Sequence, residues 1–306
     1  MTNLKLTWII LPDEAELAEQ VTDLASRAEA ADGIAPLSEQ FVLGLQDARL
    51  GHRHLLALED GRVVGAAALA ENEAEFVVDP KARRRGIGAR LYAGLAEDVA
   101  ELKVWAHGNT EGAQALAARR EARVTRRLLV MEVSGDALRD SVDFTAPRDM
   151  TAADLADSRR RWGDDPVEQA WLEVNNDAFS WHPEQGGWDL ARLRRAMEVE
   201  WFNPRDVWFI WDTPAKETPG EKLPALAGFH WTKWHDEDTA EVYVVGLSGD
   251  YRGRGLGGPV VSMGLAHLAQ GGAQRVILYV EDDNEAAVKR YRALGFTVAE
   301  EHVVYA

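Results

Sequence analysis

RGRGLGG, Arg252 to Gly258, places four glycines and two arginines in seven positions, between the apolar runs VYVVGL and VVSMGLAHLA. The first run reads as a strand and the second as a helix, so the stretch is the turn into a helix N-terminus. Such a turn aims several unpaired backbone N–H groups at one point, and glycine lets an anion approach them closely. Arg252 and Arg254 would add charge-assisted bonds to a pyrophosphate. Taken alone, the pattern is equally a surface turn.

A second copy decides between these readings. RRRGIG, Arg83 to Gly88, has the same Arg-x-x-Gly-x-Gly spacing, and Gly86 and Gly255 lie 169 residues apart. Around it the first half reads as a strand LKLTWII, a helix from Asp13 to Ala31 and a helix from Glu39 to Arg49. The strands LLALED and VVGAAALA follow, joined by Asp60-Gly61-Arg62, which has hairpin chemistry. Next come the strand EFVVDP, the loop, a helix ARLYAGLAEDVAEL, a strand LKVWAHG and a helix EGAQALAARREA. After a polar junction near Ser134 to Arg148 the order recurs: strands RDVWFIWD, LAGFHWTKW and EVYVVGLS, the loop, a helix, the strand RVILYVEDD and a helix in NEAAVKRYRALGF. A repeat of this length in 306 residues predicts two tandem α/β domains, 1–137 and 138–306.

Composition narrows the partners. A formal charge of −17 disfavours nucleic acid, whose phosphates the summed field would repel, so any anionic ligand needs a local pocket. The chain has no cysteine, which excludes disulfides, thiolate metal sites and a cysteine nucleophile. The N-terminal apolar patch is too short for a membrane span and lacks a signal-peptide cleavage pattern, so a cytoplasmic protein with small-molecule partners and no membrane partner is expected. His182, His230 and His235 lack metal-ligand spacing, and no metal is expected.

Neither loop is a P-loop or a dinucleotide fingerprint. Both resemble the acetyl-CoA loop of the GNAT N-acetyltransferase superfamily, whose later Asn-x-x-Ala-x-x-x-Tyr-x-x-x-Gly-Phe pattern is matched by Asn284, Ala287, Tyr291, Gly295 and Phe296. WHPEQGGW, GFHWTKW, EVYVVG, LYVEDDN and the final VVYA extend the likeness to the tandem-domain mycothiol synthase family over nearly the whole chain. The chain departs from that family in the length of TPAKETPGEKLPA and in the DYRGRG form of the second loop. The resemblance implies two GNAT domains, each a mixed, mostly antiparallel central sheet flanked by helices, with acetyl-CoA as donor; tandem domains can supply the contacts that single-domain relatives gain by dimerising, so a monomer is expected. It implies transfer of the acetyl group to the cysteine amine of cysteinyl-glucosaminyl-inositol by direct attack in a ternary complex. It also implies cofactor contacts at Val245, Gly246 and Leu247, at Arg252, Gly253, Arg254, Gly255, Leu256, Gly257 and Gly258, and at Asn284 and Ala287. In the first half these become Phe76, Val77 and Val78, with Arg84, Arg85, Gly86, Ile87, Gly88 and Ala89. Acceptor contacts are implied at Glu39, Glu184, Lys233, Glu241 and Tyr279.

Acetyl transfer from a thioester to an amine requires a base for the amine, a donor for the oxyanion and an acid for the departing thiolate. A strand's period of two would set Glu241, Tyr243 and Val245 on one face, with Glu241 partly desolvated as base. The family gives Glu241 that role, and it gives Tyr291 the role of acid. By the same likeness, backbone N–H groups of Val245 and Leu247 face the oxyanion and the pantetheine arm. The bland readings are a solvated strand-edge glutamate and a core tyrosine. Without gaps, the first-half counterpart of Glu241 is Asn72, Glu75 falls on the other face, and no tyrosine lies between Tyr92 and Tyr243. The first domain is therefore expected to bind CoA without catalysis. Two other readings remain at this stage: another amine as acceptor, such as an aminoglycoside, a polyamine or a protein N-terminus, and a CoA-binding sensor without turnover.

Overall fold

The fold is given by a computed structural model, which describes residues 4–140, 143–181, 185–213 and 222–306. Packing divides the chain into two compact units. One runs to Leu129 and includes Glu281–Asp283 and Glu300–Ala306; the other comprises Val130–Val280 with Asn284–Ala299.

In chain order, the first stretch contains β1 (Leu4–Ile9), α1 (Ala15–Asp32), α2 (Glu39–Leu43), β2 (Arg53–Glu59), β3 (Arg62–Ala70), β4 (Glu73–Val78), α3 (Ile87–Asp98), β5 (Lys103–Ala106), α4 (Glu111–Arg120) and β6 (Val124–Ser134). There follow α5 (Gly135–Arg139), β7 (Thr151–Asp154), α6 (Leu155–Trp162), α7 (Asp164–Ala178), α8 (Leu190–Ala196), β8 (Val207–Asp212), β9 (Ala225–Trp234), β10 (Thr239–Leu247), α9 (Gly257–Gln270), β11 (Arg275–Glu281), α10 (Glu285–Ala293) and β12 (Thr297–Tyr305).

Local chemistry accounts for much of this. The β2–β3 hairpin turns on Asp60 and Gly61, at φ 51° and 81°, the left-handed pair that such a two-residue turn needs. Helix α1 buries Ala18, Val21, Leu24 and Ala28, a stripe at helical spacing, and ends at Gly33 with φ 73°. The helix expected from Glu39 to Arg49 stops at Leu43, and the next residue is glycine where the chain passes His52: a Cβ there would stand 1.8 Å from the imidazole Nδ1. Strand β6 and helices α6, α7 and α8 fall where the sequence reading assigns no elements.

In the first unit the sheet runs β1-β2-β3-β4-β5 and then the end of β12. All neighbours are antiparallel except β4 and β5, which are parallel. The chain's C-terminal strand thus completes this unit, with Val303 opposite Ala106 and Tyr305 opposite Val104. In the second unit β11-β10-β9-β8-β7 follow the same plan, with β10 and β11 the parallel pair. One face of that sheet packs Trp171, Phe209, Trp211, Phe229 and Trp231 into a single core cluster. The other packs Val260 and Met263 of α9 on Ile210 and Ala227.

Both units bury neutral imidazoles. Desolvation holds His54 and His302 of the first unit and His230 of the second at a pKa of about 4. His230 lies under α9, where Gly264 leaves room for its ring and the Val260 carbonyl accepts its Nδ1–H at 3.0 Å. Each folded-state pKa is below the ordinary value of 6.5, so the unfolded chain binds more protons between the two. This stability is complete above pH 6.5 and is lost as pH falls toward 4, by up to roughly 3 kcal/mol per histidine. Denaturant midpoints taken from pH 7.5 to pH 4.5 should fall across that window and fall less in His302→Gln; equal pH dependence in the two proteins would refute the assignment.

Candidate active site

The site is built around the point where a parallel strand pair parts. β10 pairs with β11 only from Thr239 to Val242, and β4 pairs with β5 only at Glu73 and Ala74. Beyond those residues each strand keeps its antiparallel neighbour on one side and opens a gap on the other. Strand alternation then settles which amides face the gap. The Ser248 N–H donates to the Ala227 carbonyl of the β9 side, so the N–H groups of Val245 and Leu247 point away from β9, into the opening. In the first unit the Asp79 N–H donates to Val64, which turns the N–H groups of Phe76 and Val78 into the corresponding gap. Gly246 between the two outward amides is small for a packing reason: a Cβ there would meet the Phe229 ring at 2.3 Å.

Both glycine loops close on helix N-termini as expected. Gly86 and Gly255 have φ of 82° and 80°, and α3 and α9 begin one and two residues later. Gly253 (φ 75°) has Arg84 (φ 62°) as its counterpart, a non-glycine residue in the left-handed region. The first loop opens on a cavity of about 810 Å³, lined by Phe76, Val78, Arg84, Gly86 and Gly88, with Tyr305 of β12 also on its wall. The arginines depart from the sequence expectation. Arg252 donates to the Asp177 carbonyl at 3.0 Å, and Arg254 lies over the Tyr251 ring at 4.9 Å. Arg83 makes two 2.7 Å bonds with Asp32, and Arg85 pairs with Glu59. Asn284 caps α10 by accepting the Ala287 N–H at 3.2 Å, as Thr110 caps α4 through Ala113. These two cofactor candidates thus have a structural role.

Glu241 is buried, at 5% exposure, which overturns the solvated strand-edge reading. Its carboxylate Oε2 lies 2.8 Å from His235 Nε2. The cross-strand register sets Lys233 and Ile277 beside it, so Lys233, Glu241 and Tyr279 share one face of the sheet. Lys233 Nζ stands over the rings of Trp201 (4.7 Å) and Tyr243 (5.5 Å), which in turn pack on Trp231 of the aromatic core. Tyr279 is exposed at 45%; Glu39 stands half-buried in the first turn of α2, in the first unit. Glu184 and His182 lie outside the described residues. Tyr291, on α10, packs against Phe296 with centroids 5.7 Å apart. Burial raises its phenol above the ordinary 10, with the neighbouring Arg290 opposing the shift, so it carries its proton at neutral pH.

One irregularity corrects two expectations. The β9 register jumps between Val242 and Val244, which makes Tyr243 an extra residue, a β-bulge. Val245 therefore does not share the face of Glu241: Val244 packs with Trp171 and Trp231, and Val245 packs with Val260 and Met263 on the other side. β4 has no such jump. Matching the parallel pairs, Glu73 opposite Lys103 corresponds to Glu241 opposite Ile277, so the first-unit counterpart is Glu73 rather than Asn72. Glu75 shares its face instead of opposing it. Both carboxylates are engaged. Glu73 accepts the Trp105 indole N–H at 3.0 Å, and Glu75 accepts the Ser38 N–H at 2.6 Å and lies 3.1 Å from His107 Nε2. Helix α4 has no tyrosine. Among the described residues no group of three His, Asp or Glu side chains could hold a metal ion.

Comparison with known proteins agrees with this geometry. The profile described as "Acetyltransferase (GNAT) family" matches residues 18–120 and 169–296. Mycothiol acetyltransferase of Corynebacterium aurimucosum is 52% identical, over 97% of each chain, and that of Corynebacterium glutamicum (strain ATCC 13032) is 46% identical, over 99% of this chain and 97% of its own. Among solved structures, a tandem GNAT protein from the clavulanic acid biosynthesis pathway superposes with a TM-score of 0.70 at 21% identity, covering 98% of both chains. A GCN5-related N-acetyltransferase from Sphaerobacter thermophilus does so with a TM-score of 0.64 at 18% identity, covering 98% of this chain and 94% of its own.

Because Arg252 and Arg254 are engaged elsewhere, backbone geometry should dominate anion binding at the second loop. Gly255→Ala forces a Cβ into the left-handed region at about 1–2 kcal/mol, which should weaken acetyl-CoA binding roughly tenfold in calorimetric titration. Arg254→Ala should weaken it by less than about threefold; the opposite ranking would hand the anion to the arginine.

Proposed function

The chain belongs to the GNAT acetyltransferase family, within it to the mycothiol acetyltransferases, and on that premise we propose that its second unit acetylates the cysteine amine of cysteinyl-glucosaminyl-inositol. The products are mycothiol and CoA. The observation that supports this assignment most directly is the buried Glu241 on the strand whose next outward amides, those of Val245 and Leu247, open into the β10–β11 gap.

The chemistry follows from those groups. Glu241 takes a proton from the acceptor's ammonium, and the freed nitrogen lone pair forms a bond to the thioester carbonyl carbon. The carbonyl electrons move to oxygen, where the Val245 N–H stabilises the oxyanion without reorganising at the moment of reaction. Collapse restores the carbonyl, breaks the C–S bond and sends the electron pair to sulfur, which receives the Tyr291 hydroxyl proton; the second proton of the acylated nitrogen then restores the Tyr291 phenol and leaves the neutral amide. The Tyr291 phenol carries a proton to give at neutral pH, although its burial raises the cost of releasing it. Lys233 and Tyr279, on the same face as Glu241, are assigned to the acceptor's hydroxyl groups.

The first unit binds CoA at the Gly86 loop without turnover in this reading. Its cavity and outward amides support binding, whereas Glu73 is held by Trp105 and α4 supplies no acid. No described helix is long and apolar enough to cross a membrane. A monomeric, cytoplasmic enzyme completes the proposal.

The test is mass-spectrometric detection of N-acetylated product from acetyl-CoA and cysteinyl-glucosaminyl-inositol. Glu241→Gln should lower kcat by about 10² to 10⁴ and Tyr291→Phe by at least about tenfold, with acetyl-CoA still bound. Gly86→Ala should leave kcat at the wild-type level. Turnover that survives Glu241→Gln, or that Gly86→Ala abolishes, would place the chemistry elsewhere.

A further inference from the structure

Glu241 carries three side-chain torsions, and a base that must meet an amine in one geometry needs them fixed. Among the described residues its carboxylate has one hydrogen-bond partner, His235 Nε2 at 2.8 Å on Oε2, and none on Oε1. An ionised carboxylate only accepts, so the imidazole contributes Nε2–H. His235 is itself held in place. Its backbone N–H donates to the Thr239 carbonyl at 2.9 Å, and the adjoining Asp236 carboxylate accepts the N–H groups of Asp238 (2.8 Å) and Thr239 (2.6 Å), closing the β9–β10 turn. The histidine side chain remains one-third exposed while that of Glu241 is 7% exposed, so the imidazole covers the carboxylate on its solvent side.

We propose that His235 is a positioning residue for the base: its Nε2–H pins Oε2 of Glu241 and leaves Oε1 directed at the acceptor amine. The rigid turn supplies the aim that the carboxylate's own torsions lack. An imidazole N–H serves this purpose better than a lysine or arginine, because it can donate without placing a full positive charge on the group that must accept a proton. The proposal rests on the reading of Glu241 as the base.

The experiment is a double-mutant cycle on the full-length enzyme, with kcat and both KM values measured for His235→Ala, His235→Gln, Glu241→Gln and the pair Glu241→Gln/His235→Ala. His235→Ala is expected to lower kcat about tenfold at unchanged acetyl-CoA KM. His235→Gln, whose side-chain amide can donate from the same position, is expected to recover the larger part of that loss. The double variant should be no slower than Glu241→Gln alone, since a residue that acts through Glu241 has nothing left to orient. Wild-type kcat in His235→Ala, no recovery with glutamine, or additive losses in the double variant would each overturn the proposal while leaving Glu241 as base. Wild-type turnover in Glu241→Gln would overturn both. Thermal melts of each variant separate a folding defect from a catalytic one, and if His235→Ala melts early a further variant, His235→Asn, whose shorter amide cannot reach Oε2, carries the test against His235→Gln: equal kcat in the two would overturn the proposal.

Discussion

The proposed function depends on a hydrogen-bond ladder that stops. Parallel pairing between β10 and β11 ends at Val242, and past that point the strand's outward amides have no strand partner. A sheet normally satisfies every such group. Here the unpaired N–H groups are available to a ligand, while the antiparallel bonds to β9 hold β10 rigid on its other side. Donors fixed in this way would not need to reorganise as charge develops on the thioester oxygen in the proposed reaction.

The two units share this gap and differ in what surrounds it. The first has the opened ladder, the glycine loop and a large cavity, but its β4 lacks the extra residue that β10 carries at Tyr243. In the second unit the bulge sets Tyr243 against Trp201 and Trp231 and gives Lys233 an aromatic seat beside Glu241. In the first, Glu73 and Glu75 occupy the matching face and are bound to Trp105, Ser38 and His107. Those contacts turn both carboxylates toward partners within their own unit. In the proposed reading, one architecture supports donor binding twice and a base once.

The electrostatics follow from composition. A chain with a net charge of −17 must hold a polyanionic donor, yet the arginines flanking the glycine loops are drawn to Asp177, Asp32 and Glu59, or stacked on Tyr251. Abundant carboxylates claim the nearby guanidinium groups. The proposed anion sites therefore rest on the helix N-termini of α3 and α9, with Arg84 also on the wall of the first unit's cavity.

By itself the sequence determined the tandem repeat, the two glycine loops and the Asp60-Gly61 hairpin, because each is encoded by residues close together in the chain and by local backbone preference. Tertiary structure decided what depends on a partner strand or a distant side chain. The bulge at Tyr243 exists only as a mismatch of count against β9, so the face of Val245 and the equivalence of Glu73 to Glu241 were not legible from a single strand. His235 lies six residues from Glu241 across a turn, and only the folded hairpin brings its imidazole onto the carboxylate. The partners of Arg83, Arg85 and Arg252 lie 26 to 75 residues away, and Tyr305, nearly at the end of the chain, reaches the first unit's cavity through β12. Periodicity and turn chemistry carry information over a few residues, whereas strand register and ion pairing are settled only when separated segments compete for the same backbone and charge partners.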